Sequence, residues 1–141
     1  MGASSAVSRG IRLWTVLSRV RDVRVQCRLG ELARAQRGVQ SAQAAVDHAV
    51  RQCELHAGRL AGLKDWRASG PHGPEMWRHA RERHRQREAV LAREAAAARE
   101  VLAAALGEAH TIRAALRREM HAQDDAHTRV RDARAKARGK D

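Results

Sequence analysis

The stretch Ser69-Gly70-Pro71-His72-Gly73-Pro74 decides the fold, because it is the one place where two prolines and two glycines cluster. Proline denies the helical region to the residue before it, and glycine gives the backbone the freedom that a tight turn needs. A helix that arrives at Ala68 must therefore stop, and a second can begin near Glu75 with Pro74 in its first turn. The stretch predicts two helices joined by a short turn over residues 69–74.

The composition favours long helices over a globular core. The 141-residue chain has no Phe and no Tyr, and it is rich in Ala, Arg, Glu, Leu and Gln, as long helices and coiled coils are. Only isolated glycines interrupt the helix-compatible sequence on either side of the turn. We predict an all-α hairpin in one domain, with helix 1 over about 9–68, helix 2 over about 75–137, and fraying of residues 1–8.

A heptad stripe runs along each predicted helix. In helix 1 the a positions are Leu32, Val39, Val46, Cys53 and Leu60, and the d positions are Ala35, Ala42, Ala49, His56 and Leu63. In helix 2 the d positions are Trp77, His84, Leu91, Ala98, Ala105 and Ile112, and the a positions are Arg81, Glu88, Ala95, Leu102, Ala109 and Leu116. Spacings of three and four that persist over five heptads predict a coiled coil.

The two stripes mirror each other about the turn. Positions a of one helix face positions d of the other in an antiparallel coiled coil, and the residue numbers of such pairs, for example Leu60 with His84, add to about 144. The centre of symmetry is His72, which lies inside the turn. Extending the register outward pairs Trp14 with Val130, Ile11 with Ala133 and Val7 with Ala137. The stripes therefore predict an intramolecular hairpin, with arms of about 90 Å.

Two zones weaken the predicted seam. The polar pairs there are Arg21 with Gln123, Val25 with Glu119, His56 with Glu88, and Arg67 with Trp77. The stripe weakens between residues 18 and 28, and the apolar residues Leu13, Leu17 and Val20 indicate a shifted face, which predicts a local stutter in the coiled coil.

Charge is unevenly distributed along the chain. The net charge is +12, of which residues 1–38 carry +6 and residues 113–141 carry +4, whereas residues 39–77 are neutral. The predicted hairpin brings both basic segments to one end, which suits an acidic socket or a polyanion. Ordinary solubilising helix faces are the alternative interpretation. At the turn, Trp66-Arg67 and Trp77 predict either a Trp–Arg contact that caps the hairpin or an exposed binding hot spot, or one of each.

The residue pattern does not indicate an enzyme. Among the eight histidines no two are spaced i,i+3 or i,i+4 on one helix. The best metal candidate is Cys53 with His56, approached by His84 across the seam, and we favour packing roles for all three because a closed zinc site needs four placed ligands. We expect neither metal nor cofactor, and no disulfide between Cys27 and Cys53, which would lie about 39 Å apart on one helix.

The N-terminal segment has two interpretations. Residues 1–21 contain four arginines, several serines and no acid, which is typical of an organellar transit peptide. We favour the first turns of a basic helix, because the apolar spacing there continues that of the chain. Met1-Gly2 resembles a myristoylation start, but Ala6 occupies the position where Ser or Thr is required. No apolar run approaches the roughly 18 residues of a membrane span.

Three features together point to a known family. They are the Arg-rich N-terminal helix, the pair Trp66-Arg67 just before a Pro-containing turn, and an Ala/Arg/Glu-rich second arm. In these features, and over nearly its whole length, the chain resembles the small coiled-coil stalk proteins of bacterial type III secretion systems, the YscO/FliJ-like family. The absence of Tyr and Phe departs from many members, which carry aromatic residues on their arms.

The resemblance implies a cytoplasmic, non-enzymatic part of a virulence or flagellar export machine. Such a protein inserts into the pore of the secretion ATPase hexamer, couples it to the export gate, handles secretion chaperones, and meets the membrane only through partners. The candidate ATPase-binding residues are Arg9, Arg12, Arg19, Arg21, Arg129, Arg131 and Arg134. The candidate residues that face the export gate are Trp66, Arg67 and Trp77.

Two other classes remain as alternatives. The arginine content and the basic pI suit a helical nucleic-acid-binding protein, although aromatic stacking platforms and recognised modules are lacking. Alanine-rich stripes also suit a dimeric structural coiled coil. The sequence leaves the oligomeric state open.

Overall fold

A computed structural model describes residues 2–71 and 73–139, and these form two long α-helices. Helix α1 spans Gly2–Ala68 and helix α2 spans Pro74–Gly139. The two helices pack against each other, and the described residues contain no strand. The predicted all-α helical hairpin is confirmed.

The turn between the helices ends one helix and starts the next within a few residues. The backbone N–H of Ser69 donates to the carbonyl of Asp65 (3.0 Å), the last helical bond of α1. On the other side, the N–H of Trp77 donates to the carbonyl of Gly73 (3.3 Å), and Pro74 occupies the first helical position, where no N–H is needed. His72 lies outside the described residues.

The glycines of the described part of the turn do not use left-handed backbone conformations, since no described glycine has a positive φ. The sequence assigned the turn to proline and glycine together. Proline restricts the backbone at both ends of the turn: Pro71 denies the helical region to Gly70, and Pro74 has its φ preset for the helix that follows.

Both helices extend further than their predicted bounds. Helix α1 begins at Gly2, so the described residues of the segment 1–8 are helical and not frayed. Val7 is half-buried and lines one depression with Ile11, Ala133 and Ala137. This packing stabilises the first turns of the helix. The predicted pairs Val7–Ala137 and Ile11–Ala133 therefore lie at one site.

The chain divides into two compact units, each built from a segment of both helices. We call Met1–Gln36 with Glu108–Asp141 the terminal unit, and Arg37–Gly107 the hinge unit. Both units have a narrow core, and in each the core follows the predicted stripe.

In the hinge unit the buried apolar residues are small or moderate in size except for one tryptophan beside the turn. They are Ala42, Val46, Trp77, Leu91 and Ala95. The two predicted seam positions Arg81 and Glu88 are exposed. The prediction was wrong at these positions because long charged side chains keep their heads in water.

In the terminal unit the seam continues without the predicted stutter. The buried residues are Val25, Ala109, Leu116, Ala126 and Val130. Half-buried or buried residues follow at spacings of three and four through Trp14, Ser18, Arg21, Val25 and Arg28. Of the three residues that predicted the shifted face, Leu13 and Val20 are exposed and Leu17 is half-buried. The register holds because Arg21 is accommodated in the seam by an ion pair with Glu119 (3.6 Å), and not by the predicted Gln123.

Candidate functional site

A pair of buried histidines is the most unusual polar feature of the hinge unit. The Nε2 of His56 lies 2.8 Å from the carbonyl oxygen of His84, and the Nε2 of His84 lies 3.0 Å from the carbonyl oxygen of His56. Because a carbonyl can only accept, both rings must carry the proton on Nε2. The rings stack with centroids 4.0 Å apart. The pair joins the two helices reciprocally at one level and so fixes their register.

This histidine pair does not belong to a metal-ligating cluster of described residues. The described residues contain no group of three or more His, Cys, Asp or Glu side chains that could hold a metal ion. The sequence placed His56 opposite Glu88, but the ion pairs found among the described residues do not include this one. Glu88 instead approaches the Nδ1 of His84 at 3.8 Å, with its side chain 67% exposed, because it lies one turn further along the same helix as His84.

Beside the turn, Arg67 and Trp77 make the contact that the register predicted. The guanidinium carbon of Arg67 lies 4.7 Å from the ring centroid of Trp77, within the range of a cation–π interaction. Trp77 is 8% exposed and belongs to the core. Of the two predicted tip tryptophans, Trp77 therefore staples the helices.

The other tip tryptophan lies at the surface of the hinge unit. Trp66 is half-buried and lines an open depression with Leu63, Met76, His79, Ala80 and Arg83. Met76 is 56% exposed, and a flexible thioether beside an aromatic ring is a common element of adaptable binding surfaces. Sequence reasoning missed Met76, although its position next to Trp77 placed it on the outside of the second helix.

Two of the seven candidate arginines in the terminal unit are occupied within the molecule. Arg21 is paired with Glu119, as described above. Arg129 stacks over Trp14 at 4.6 Å and also pairs with Asp125 at 3.2 Å. The sequence predicted Val130 as the partner of Trp14, and the adjacent arginine covers the ring. These two arginines stabilise the unit and are less available to a partner.

The other five candidate arginines are exposed: Arg9, Arg12, Arg19, Arg131 and Arg134. Arg9 donates to the carbonyl of Ser5 at 3.4 Å, and Arg131 donates to Thr128 at 3.3 Å. Arg131 and Arg134 line one open depression with Thr15 and Ser18. The ion pairs found among the described residues include none of Arg12, Arg19, Arg131 and Arg134. Their charges face solvent and are the strongest candidates for contact with an acidic partner.

Asp22 is a local exception to the basic character of the terminal unit. Gln123 donates to its Oδ1 at 2.9 Å, and the Nε2 of His127 lies 2.7 Å from the same oxygen. These hydrogen bonds, the one from Gln123 first, lower the pKa of Asp22 below its usual value because they stabilise the ionised carboxylate. The cluster joins α1 to α2, and the seam pattern gave no sign of it because Asp22 lies outside the a and d positions.

No protein-family model, curated protein or solved structure matches the chain. No helix in the described part of the chain combines the length and apolar character that a membrane span needs.

Proposed function

We propose that the protein is a non-enzymatic coiled-coil stalk of a bacterial type III secretion apparatus. The terminal unit is inserted in the pore of the secretion ATPase hexamer, and the hinge unit faces the export gate. The observation that carries the proposal is the charge difference between the units. The terminal unit has 16 basic and 8 acidic side chains, whereas the hinge unit has 12 and 8.

The exposed arginines of the terminal unit supply the contact with the ATPase in this proposal. Arg12 and Arg19 lie on α1, Arg131 and Arg134 lie on α2, and all four are exposed. A pore that presents acidic side chains would attract such a unit at long range and hold it without a fixed set of hydrogen bonds. That kind of contact suits a shaft that must sit inside a ring of six similar subunits.

The hinge unit supplies the second contact. Arg67 and Trp77 hold the helices together beside the turn, and in this proposal the depression lined by Trp66 and Met76 contacts the export gate or a secretion chaperone. A contact formed by an aromatic ring and a thioether is largely apolar. The two units would thus bind their partners by different physical means, at the cytoplasmic face of the apparatus.

Charge reversal tests the proposal. We expect the variant Arg12→Glu/Arg19→Glu/Arg131→Glu/Arg134→Glu to lose stimulation of the purified secretion ATPase while keeping its helical circular dichroism. The matched control, Arg85→Glu/Arg87→Glu/Arg93→Glu/Arg99→Glu, makes the same change of charge at exposed positions of the hinge unit. It should stimulate like the wild type. Unchanged stimulation by the first variant, or equal loss in both, would refute the assignment.

Nucleic-acid binding is the second candidate, favoured by the sequence pI of about 11.5. Two of the three tryptophans, Trp14 and Trp77, are already covered by arginines, which leaves little aromatic surface for bases to stack on. Filter binding of RNA and DNA at two salt concentrations distinguishes the candidates. Tight binding with a steep salt dependence would favour a polyanion partner over the ATPase.

A further inference from the structure

The outer face of α1 in the terminal unit carries a second apolar stripe. Four of its residues are exposed: Leu13 (59%), Val16 (56%), Val20 (41%) and Val23 (62%). Their spacing of three, four and three residues continues to the exposed Cys27. This is the a/d spacing of a coiled coil, on a face turned away from the buried Val25. Helix α1 therefore has two seams here, and α2 occupies only one of them.

The width of the stripe indicates what kind of partner it fits. A helix that lies on a membrane surface has a broad apolar face, usually with Trp, Phe or Leu. The stripe from Leu13 to Cys27 contains only a and d positions and is mostly valine, which is the narrower pattern of a helix–helix contact. Trp14 is not part of it, since that ring lies under Arg129. These observations favour a helix over a lipid surface.

Flanking charges decide between a second copy of the chain and another protein. With Leu13 as an a position, Arg12 and Arg19 fall at g and Arg24 falls at e, and all three are exposed. Positions e and g set partner choice in coiled coils. A parallel second copy would set Arg19 against Arg24, and an antiparallel copy would set g arginines against each other. Both arrangements are repulsive, so the flanks at Arg12, Arg19 and Arg24 call for acidic residues on the partner.

The far end of the stripe has room for a partner side chain. Val23, Cys27 and Gly30 line an open depression on α1, and a Cβ built on Gly30 would meet nothing within 4 Å. Gly30 continues the d positions of the stripe, after Val16 and Val23. A large apolar knob from a facing helix can insert there.

We propose that this outer stripe binds an acidic amphipathic helix of another protein, as a third strand beside α1 and α2. The partner helix has apolar residues at its a and d positions and Glu or Asp at its e and g positions. This inference goes beyond insertion in the ATPase pore, because it requires a helical ligand with an apolar seam and not only acidic charge.

A synthetic peptide of about 28 residues, long enough to be helical when bound, tests the proposal. It carries Leu at a and d and Glu at e and g, and its twin has Lys in place of every Glu. We expect the full-length protein to bind the acidic peptide in a fluorescence anisotropy titration, and the lysine twin at least about tenfold more weakly. Equal binding of both peptides, or of neither, would overturn the proposal.

Paired variants locate the binding site. Val16→Asn/Val23→Asn should weaken binding of the acidic peptide at least about tenfold, because the variant loses two valine contacts that peptide binding would bury. The control Val101→Asn/Leu106→Asn changes two exposed apolar residues of the hinge unit and should leave affinity unchanged. Circular dichroism checks that all variants are folded. If the stripe variant binds as tightly as the control, the stripe is not the site.

Cys27 offers a readout inside the stripe. The acidic peptide should slow maleimide labelling of the exposed Cys27 and leave labelling of the half-buried Cys53 of the hinge unit unaffected.

Two other partners for the stripe, a lipid surface and a second copy of the chain, would give different results. Binding of the protein to vesicles containing phosphatidylserine, lost in Val16→Asn/Val23→Asn, would replace the helix with a lipid surface. Dimers in sedimentation that the same variant abolishes would replace it with a second copy.

Discussion

Two tryptophan–arginine contacts of nearly the same geometry lie in different units of the molecule. In the hinge unit Arg67 lies 4.7 Å from the ring of Trp77, and in the terminal unit Arg129 lies 4.6 Å from the ring of Trp14. Trp77 is 8% exposed, whereas Trp14 is only half-buried. The comparison teaches that the same pair of residues can act as a core staple or as part of a charged surface, depending on burial.

The polar contacts that join the two helices also differ between the hinge unit and the terminal unit. The hinge unit joins its helices through His56 and His84, whose rings donate to backbone carbonyls. The terminal unit uses the carboxylates of Glu119 and Asp22, which lie close to Arg21 and His127. Contacts between charges weaken with salt, whereas hydrogen bonds to backbone carbonyls do so much less. The hinge unit is therefore built to keep its register, and the terminal unit to respond to charged partners.

The largest expected effect on stability comes from replacing each of the two tryptophans with alanine. Trp77→Ala should lower the free energy of unfolding by about 3 kcal/mol, because a buried aromatic side chain leaves a cavity. Trp14→Ala should cost about half as much, since part of its surface is already in water. Urea unfolding followed by circular dichroism measures both. Equal costs would show that burial does not distinguish the two contacts.

A second comparison sets the seam of the hinge unit against its outer face. Leu91→Ala should cost about 2 kcal/mol, because this side chain is 4% exposed and a two-helix core can relax only partly around the gap. Val101→Ala, at a position 61% exposed, should change stability by less than about 0.5 kcal/mol. Thermal melts of both variants at the same protein concentration provide the test. A large loss in Val101→Ala would mean that the outer face is covered.

Double-mutant cycles sharpen the comparison to the contacts themselves. Combining Arg67→Ala with Trp77→Ala, and Arg129→Ala with Trp14→Ala, should give coupling energies of about 0.5–1 kcal/mol in both units. The prediction follows from the nearly equal ring distances, whatever the total cost of each tryptophan. A cycle with no coupling would show that the contact in that unit contributes only packing.

The smallest expected effect concerns Asp22 and its dependence on pH. Its pKa is lowered in the folded protein by Gln123 and His127, so the carboxylate adds stability above its unfolded pKa of about 4. That contribution is lost as pH falls through the lowered folded value. The difference between wild type and Asp22→Ala in urea midpoint should therefore be present at neutral pH and vanish in acid. Direct carboxyl titration by NMR should show a midpoint below the usual one, and an ordinary midpoint would contradict the account.

The fold was predictable because the turn and the stripes carry independent information. Clustered proline and glycine at residues 69–74 gave the break between helices, and the mirrored heptads gave the antiparallel register, including the contact of Arg67 with Trp77. The exposed positions of Arg81 and Glu88 were not predictable from spacing alone. A heptad pattern assigns positions at fixed intervals, whereas long charged side chains turn outward to keep their heads in water.

The terminal unit was harder to predict than the hinge unit. Leu13 and Val20 suggested a shifted core, because sequence reasoning assigns apolar residues to the interior and has no way to recognise a second apolar face. The structure keeps Arg21 and Val25 in the seam and leaves the outer stripe exposed. The Asp22 cluster was missed for a related reason, since contacts at the edge of a seam depend on side-chain reach and not on period.

Hydrogen–deuterium exchange of the full-length protein, with and without the purified secretion ATPase, tests the division of roles most directly. The account predicts slowed exchange on binding within residues 9–24 and 129–134 of the terminal unit, and no change around Trp66 and Met76. Protection confined to the hinge unit, with the terminal unit exchanging as in the free protein, would contradict it.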